Sequence, residues 1–241
     1  MLDFNQVNTF SAIEKMSDGL RAYFAKVYNY MAGGLALSGI VAYLAAKEPF
    51  VRWFYQIGPQ GVSYSGLGWI AVLSPLVLIF MISSSLRRLN VARAQTLFWI
   101  FSALMGISLS NIFFLFTGSA IFQAFLVTAG MFAAISLYGY TTQRSLASWG
   151  SFLFMGLIGV ILASVVNMFI GSGQFDFIIS IISVAIFVGL TAYDTQQLKA
   201  MYEEARDSEA QQALAISGAL SLYLNFINLF RLMLYFLNDR R

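Results

Sequence analysis

Two long stretches of this chain carry no charged side chain. No Asp, Glu, Lys or Arg occurs between Arg93 and Arg144, and the next charge after Arg144 is Asp176. A helix that crosses the apolar core of a bilayer, about 30 Å thick, needs roughly 20 apolar residues. No single buried helix of a soluble domain accounts for runs of this length, so the chain must cross a membrane several times.

The composition excludes several classes of function. Only 10% of the residues are charged, whereas soluble domains carry about 25%. The absence of cysteine excludes disulfides and thiolate metal sites, and the absence of histidine excludes an imidazole base or ligand. The basic residues that give the net charge of +3 are scattered and form no dense patch. We therefore expect no enzyme, no resident cofactor and no nucleic-acid partner.

Seven apolar stretches are long enough to span a bilayer, and polar, glycine-containing or charged segments separate them. Because backbone polar groups in lipid must be paired within the chain, such continuous runs predict helices. The sequence predicts an all-α membrane protein, a bundle of seven transmembrane helices at 27–237, flanked by an N-terminal segment 1–26 and a short tail 238–241. The predicted spans are Val27–Ala46, Trp69–Leu86, Thr96–Thr117, Ser119–Tyr140, Trp149–Gly171, Phe177–Gln197 and Ala213–Leu237.

The segment before the first span has apolar residues at helical spacing among its charges, namely Ile13, Met16, Leu20, Phe24 and Val27. Such a pattern is typical of an amphipathic helix that lies in the membrane interface. A frayed polar tail accounts for the same residues, and both interpretations stay open.

Lysine and arginine residues are distributed unevenly between the two sets of connecting segments. Those before the first span or after the second, fourth and sixth spans are Lys15, Arg21, Lys26, Arg87, Arg88, Arg93, Arg144, Lys199 and Arg206. Those on the opposite side are Lys47, Arg52, Arg240 and Arg241. The positive-inside rule therefore predicts a cytoplasmic N-terminus and an external C-terminus. The short loops are typical of a bacterial inner membrane protein.

Asp194 and Arg231 are the charged residues that fall inside the predicted spans. A charge at the centre of a bilayer costs at least about 2.5–3.5 kcal/mol on insertion scales, so each position needs a physical reason. Asp194 comes about one turn before the sixth apolar stretch ends. It is either an interfacial carboxylate, hydrated or paired with a basic residue at the cytoplasmic face, or a functional group inside the bundle.

One face of the seventh span is polar. Ser217, Ser221, Asn225, Asn228 and Arg231 recur every three or four residues, which places them within about 120° of one another on a helix. Lipid would not accept such a stripe, so we expect this helix in the interior of the bundle. The stripe forms either interhelical hydrogen bonds or, with Asp194 beside it, the lining of an ion or proton path.

Four segments carry a family resemblance. They are "VTAGMFAAISLYGYTTQRSL" (127–146), "FMGLIGVILASVVNMF" (154–169), "GLTAYDTQQLK" (189–199) and "GALSLYLNFINLFRLMLYFLNDRR" (218–241). The last two resemble the Bax inhibitor-1 family, also called the lifeguard or transmembrane BAX-inhibitor-motif family, and the first two look like its bacterial branch. The likeness runs from about Arg21 to the C-terminus.

The resemblance implies a seven-helix bundle with the last helix central, and a calcium leak that responds to pH. In the family, aspartates on the sixth and seventh helices form a pair that shares a proton. A basic residue on the second helix latches the pair and closes the path. Asp194 matches the first aspartate, and Arg88, with Arg87 beside it, is the nearest match to the latch.

Two positions depart from the family pattern. Asn225 stands where members usually have the second aspartate, and an amide cannot ionise, so any pH response would depend on Asp194 alone. Arg231 is unusual because members tend to carry a basic residue one helical turn later, where this chain has Tyr235. A cation on the polar stripe would discourage the passage of Ca²⁺.

Two functions remain in competition. The first is a pH-modulated calcium or cation leak, in which H⁺ and Ca²⁺ act at Asp194 and Ca²⁺ binds there weakly and transiently, with oxygen ligands from Asn225 and Asn228. The alternative is a non-conducting regulatory membrane protein that acts through membrane-protein partners in stress, protease or cell-death regulation. Asn225 and Arg231 favour this alternative. Ion-coupled transport would predict concentrative uptake, whereas a leak only dissipates gradients.

Overall fold

The fold is given by a computed structural model that describes residues 4–58, 61–205 and 207–237, with side chains from Asp18 onward except those of 57, 61 and 62. Residues 1–3, Arg206 and the predicted tail 238–241, with Arg240 and Arg241, lie outside the described residues. The side chains of Lys15, Ile13 and Met16 are outside them as well.

Seven helices in the described residues are long and apolar enough to cross a membrane. They coincide in number and order with the predicted spans, which confirms the all-α membrane bundle. The elements are α1 (Phe4–Ala45), α2 (Val51–Phe54), β1 (Tyr55–Gly58), β2 (Gly61–Tyr64), α3 (Gly66–Arg87), α4 (Val91–Leu109), α5 (Ile112–Leu115), α6 (Gly118–Thr141), α7 (Ala147–Ile170), α8 (Gly173–Glu204) and α9 (Ser208–Leu237).

The helix that contains the first span is longer than predicted, since α1 begins at Phe4 and its candidate span is Asp18–Ala45. Leu20, Phe24 and Val27 are all buried against the rest of the bundle. The apolar residues that suggested an interfacial helix therefore continue directly into the first transmembrane helix, and at least these three pack on protein.

A small hairpin joins the first two spans, and the sequence analysis did not predict it. Strands β1 and β2 pair antiparallel, with Tyr55 opposite Tyr64 and Gly58 opposite Gly61. The Tyr55 hydroxyl lies 2.8 Å from Ser110 Oγ, just after α4 ends, which fixes the hairpin to that end of the bundle. Burial raises the pKa of Tyr55, so its hydroxyl keeps its proton for this contact.

The last helix lies at the centre of the molecule, as predicted. α9 packs against α1, α4, α6 and α8, and it buries Asn225 together with Leu222 and Leu229. By contrast, α7 packs on α8 and buries only Gly150 and Leu153. The exposed apolar side chains of α7, such as Phe169 and Met168, face the region that lipid occupies.

One end of the bundle carries most of the described cations. There, ring contacts join Phe24 of α1 to Tyr140 of α6, Tyr23 of α1 to Tyr202 of α8, and Tyr30 of α1 to Trp99 of α4. The same end includes Arg87, Arg88, Arg93, Arg144 and Lys199, and we call it the basic end. The β-hairpin lies at the opposite end.

Candidate functional site

A hydrogen bond inside the bundle joins the two residues that the family resemblance pairs. Asn225 Nδ2 donates to Asp194 Oδ2 at 2.7 Å, which links α9 to α8. Asn225 is buried and Asp194 is half-buried. The carboxylate therefore has a specific partner within the protein, and that partner is a neutral amide.

Asp194 lies well inside its helix. α8 continues for ten residues beyond it, to Glu204, which is about 15 Å along the helix axis. The apolar stretch ends sooner than the helix does, because the last three turns of α8 carry Lys199, Glu203 and Glu204. The helix thus projects past its apolar part at the basic end.

Close packing of α8 on α9 near the basic end aligns the two helices. A Cβ built at Gly218 of α9 would lie 3.2 Å from Cγ of Leu198 in α8. Because the helices are antiparallel, the next turns along them bring Asp194 opposite Asn225. The absent side chain at Gly218 is what lets the helices approach closely enough for a direct hydrogen bond.

Hydroxyl groups from three helices meet at Thr195, the residue that follows Asp194 in α8, and they were not predicted from the sequence. Ser136 Oγ of α6 lies 3.3 Å from Thr195 Oγ1 of α8, and Tyr28 of α1 contacts both hydroxyls. The periodicity of each helix could have predicted which of its faces carries these hydroxyl residues. Which residues of α1, α6 and α8 meet depends on how the helices are rotated, and that is visible only in the fold.

Buried aromatic residues flank Asn225 along α9. Its chain neighbour Phe226 contacts the rings of Phe132 and Phe125 from α6, with centroids 5.6 Å and 5.8 Å apart. Two residues before Asn225, Tyr223 is fully buried. Asn225 thus lies in a part of α9 whose aromatic side chains are buried.

Within the predicted polar stripe, Asn225 is the buried member, and the other four residues are half-buried or exposed. Ser217, Ser221 and Asn228 are half-buried, and Arg231 is exposed. Asn228 Nδ2 donates to Leu224 O at 2.9 Å, so its amide is engaged within its own helix. Of the five stripe residues, Asn225 is the one whose side chain hydrogen-bonds directly to Asp194.

The predicted latch residues lie apart from Asp194 in this conformation. Arg87 is the last residue of α3 and Arg88 is its C-cap, and both side chains are exposed. Among the described residues, the side-chain ion pair is that of Arg52 with Glu48, at 2.9 Å. A latch between Arg88 and Asp194 therefore stays a prediction, and it would require another conformation.

The oxygens at the pair are too few for a tight metal site. No cluster of three or more Asp, Glu, His or Cys side chains occurs within the described residues. The hydrogen bond leaves Asp194 Oδ1 and Asn225 Oδ1 as free side-chain acceptors, whereas Ca²⁺ takes six to eight oxygen ligands. Such a pair can contact a passing cation but cannot hold it.

Comparison with known proteins decides the family. The family model described as inhibitor of apoptosis-promoting Bax1 matches residues 20–241. The chain belongs to the Bax inhibitor-1 family. This confirms the resemblance drawn from the sequence.

Bacterial members of this family match almost the whole chain. Inner membrane protein YbhL of Escherichia coli K12 is 43% identical over 92% of this chain and 94% of its own length. An uncharacterised protein of Rickettsia prowazekii, RP147, is 42% identical over the full length of both chains. An uncharacterised membrane protein of Streptococcus pyogenes serotype M1 is 41% identical over 88% of this chain. Each of these three relatives thus matches at least 88% of this chain.

Proposed function

We propose that this protein is a passive, pH-modulated cation leak, closed at the contact between Asp194 and Asn225, with Ca²⁺ as its permeating ion. The observation that supports it is the 2.7 Å hydrogen bond that joins a half-buried carboxylate of α8 to the buried amide of α9. Membership in the Bax inhibitor-1 family supports the same proposal, since a calcium leak is what the family resemblance implies.

The hydrogen bond acts as the closing contact. While Asn225 donates to Asp194, α8 and α9 are held together and the carboxylate is partly satisfied. A cation that passes between the two side chains has to displace the amide from Asp194 Oδ2, so we expect opening to require the two helices to separate at this level. Weak coordination suits this role, because a leak needs ions to leave as readily as they enter.

Protonation of Asp194 changes what the site offers to a cation. The ionised carboxylate attracts Ca²⁺ and accepts the amide N–H, whereas the neutral acid lacks the charge and gains a donor of its own. The flux is therefore expected to depend on pH through this one group. Asn225 does not titrate and contributes only hydrogen bonding.

The proposal includes a location and an orientation. YbhL is named an inner membrane protein, and we place this chain in a bacterial inner membrane as well. We propose the orientation in which the basic end is cytoplasmic, with the N-terminus inside and the C-terminus outside, and the excess of Lys and Arg at that end supports it.

A flux assay tests the proposal. Purified protein is reconstituted into liposomes that hold a Ca²⁺-sensitive dye, and Ca²⁺ entry is followed from mildly acid to mildly alkaline pH. Wild type is expected to exceed empty liposomes with a rate that varies with pH. Asp194→Asn is expected to remove the variation, because the site can no longer change its charge.

Asp176→Asn is the matched control, since Asp176 lies in the first turn of the same helix at the opposite end of the bundle. It makes the same chemical change and should leave the pH response intact. An Asp194→Asn variant with the pH response of wild type would contradict the assignment of the sensor.

The second candidate is a non-conducting regulator that acts through other membrane proteins. Asn225 favours it, because a neutral residue replaces the second aspartate at the most deeply buried level of α9. Wild-type protein that passes no more Ca²⁺ than empty liposomes at any pH would make this the leading function.

A further inference from the structure

A cavity between α3 and α4 at the basic end has a polar half and an apolar half. Its volume is about 410 Å³. Arg88, Arg93, Asn90 and Ser84 line one part, and Phe80 and Met81 line the other. Neither half takes part in the contact between Asp194 and Asn225.

The two arginines share this cavity without a carboxylate. No Asp or Glu occurs in the chain between Glu48 and Asp176, which includes all of α3 and α4. Within the described residues no ion pair involves Arg88 or Arg93. Two guanidinium groups that line one space repel each other, and an anion from outside the protein that lay between them would relieve this repulsion.

A three-residue turn fixes the spacing of these arginines. Arg88 caps the C-terminus of α3, Leu89 adopts a left-handed conformation with φ of 53°, and Asn90 begins α4. Asn90 Oδ1 accepts the backbone N–H of Arg93 at 3.1 Å. The acceptor of this amide is therefore used for capping, which leaves its two N–H donors for a ligand.

The donors suit a phosphate group. Each guanidinium presents a planar set of N–H groups that binds phosphate oxygens in pairs, and Asn90 and Ser84 add neutral donors. None of these four side chains is anionic. The polar half of the cavity is therefore complementary to a phosphodiester.

The apolar half continues along the lipid-facing side of α3. Phe80 is 75% exposed and Met81 is 37% exposed, and both lie about two turns of helix, roughly 11–12 Å, from Arg88. An apolar chain lying on Phe80 would run parallel to the helix into the membrane. The cavity thus combines an anion-binding end at headgroup depth with an apolar wall.

We propose that this cavity binds an anionic phospholipid in the leaflet at the basic end, with its phosphate between Arg88 and Arg93 and an acyl chain against Phe80. Basic pockets between transmembrane helices recognise anionic headgroups in this way. This site is separate from the proposed leak. In the conformation in which Arg88 does not meet Asp194, the lipid phosphate is its partner.

Native mass spectrometry of the full chain in detergent tests this proposal, with phosphatidylglycerol as the probe and phosphatidylcholine as the neutral comparison. Wild type is expected to retain phosphatidylglycerol in preference to phosphatidylcholine. Arg93→Gln is expected to weaken retention about tenfold, the usual effect of losing a charged hydrogen-bonding partner. Added glycerol phosphate is expected not to displace the lipid, because it lacks the acyl chain.

Arg87→Gln is the matched control, since this neighbouring arginine is exposed but does not line the cavity. It should retain phosphatidylglycerol as wild type does. Ser84→Trp fills the cavity while keeping both arginines, and it should lower retention as Arg93→Gln does. Any one of four results would overturn the proposal. They are that Arg87→Gln weakens phosphatidylglycerol retention as much as Arg93→Gln, that both lipids are retained equally, that glycerol phosphate displaces the lipid, or that Ser84→Trp retains it fully.

Discussion

At the scale of single residues, buried polar groups in the bundle are stable because they hydrogen-bond to one another. The Ser38 hydroxyl of α1 lies 2.7 Å from the Tyr223 hydroxyl of α9 and donates to Ser102 O of α4 at 2.6 Å. Ser38, Ser102 and Tyr223 are all fully or almost fully buried. An unpaired hydroxyl in such surroundings costs free energy, so this junction ties three helices together.

Removing either hydroxyl of the contact between Ser38 and Tyr223 is expected to lower the free energy of unfolding, and the two losses are expected to differ. Ser38→Ala leaves the buried Tyr223 hydroxyl without its partner, which costs about 1–3 kcal/mol. Tyr223→Phe leaves Ser38 with its carbonyl acceptors and costs about 0.5–1.5 kcal/mol. Unfolding in detergent, followed by circular dichroism, measures which of the two variants is less stable.

Ser74→Ala is the control for these two variants, because the Ser74 hydroxyl bonds only to Ala71 O of its own helix. A change within about 0.5 kcal/mol is expected for it. If Tyr223→Phe proves more destabilising than Ser38→Ala, the junction does not depend on the contact described here.

The sequence could predict part of this residue-level picture. Asp194 and Asn225 stand out because a charge or an amide in an apolar span has a high cost and therefore needs a partner. Ser38, Tyr28 and Thr195 do not stand out, since hydroxyl residues occur throughout the spans and can bond to their own helix. Which of them face another helix depends on rotations that the sequence does not specify.

At the scale of helices, glycine sets how closely α8 approaches its neighbours. A Cβ at Gly139 of α6 would collide with the carbonyl oxygen of Ala192, and one at Gly150 of α7 would meet the ring of Tyr193. Gly159 of α7, by contrast, has open space around it. The sequence alone does not distinguish these glycines, because the difference arises from which face of each helix meets α8.

The close approach of α8 and α9 allows a direct test of movement between them. The chain has no cysteine, so a disulfide between Leu198→Cys and Gly218→Cys would be the only one possible. The proximity of Gly218 to the Leu198 side chain suits the Cβ separation of about 3.5–4.5 Å that a disulfide needs. Oxidation is expected to stop Ca²⁺ flux in liposomes, and reductant to restore it.

The Leu198→Cys single variant is the control, since it should give the same flux with and without reductant. An oxidised double variant that still leaks at the unlinked rate would show that the path opens without separation of α8 from α9.

At the scale of the whole molecule, the most buried span and the least buried span differ in polarity. α9 has a polar stripe and lies in the centre, whereas α7 has no charged residue and faces lipid. The number of spans, their order and the central position of α9 could be predicted, because length, hydropathy and the stripe determine them. The hairpin at Tyr55–Tyr64 and the extension of α8 to Glu204 could not, because tertiary contacts stabilise them outside the apolar core.

The exchange of Asn225 for aspartate tests the central claim, that the pair between α8 and α9 controls the leak. Asn225→Asp creates two carboxylates that must share a proton, which adds a second titrating group at the closing contact. Asn167→Asp makes the same change in α7, where the side-chain amide oxygen accepts the backbone N–H of Ser172, and serves as the control.

The measurement is Ca²⁺ flux against pH for wild type and Asn225→Asp in matched liposomes. Asn225→Asp is expected to change the midpoint of the flux curve, whereas Asn167→Asp is expected to leave it in place. Superimposable curves for Asn225→Asp and wild type would contradict the claim that this pair is the gate.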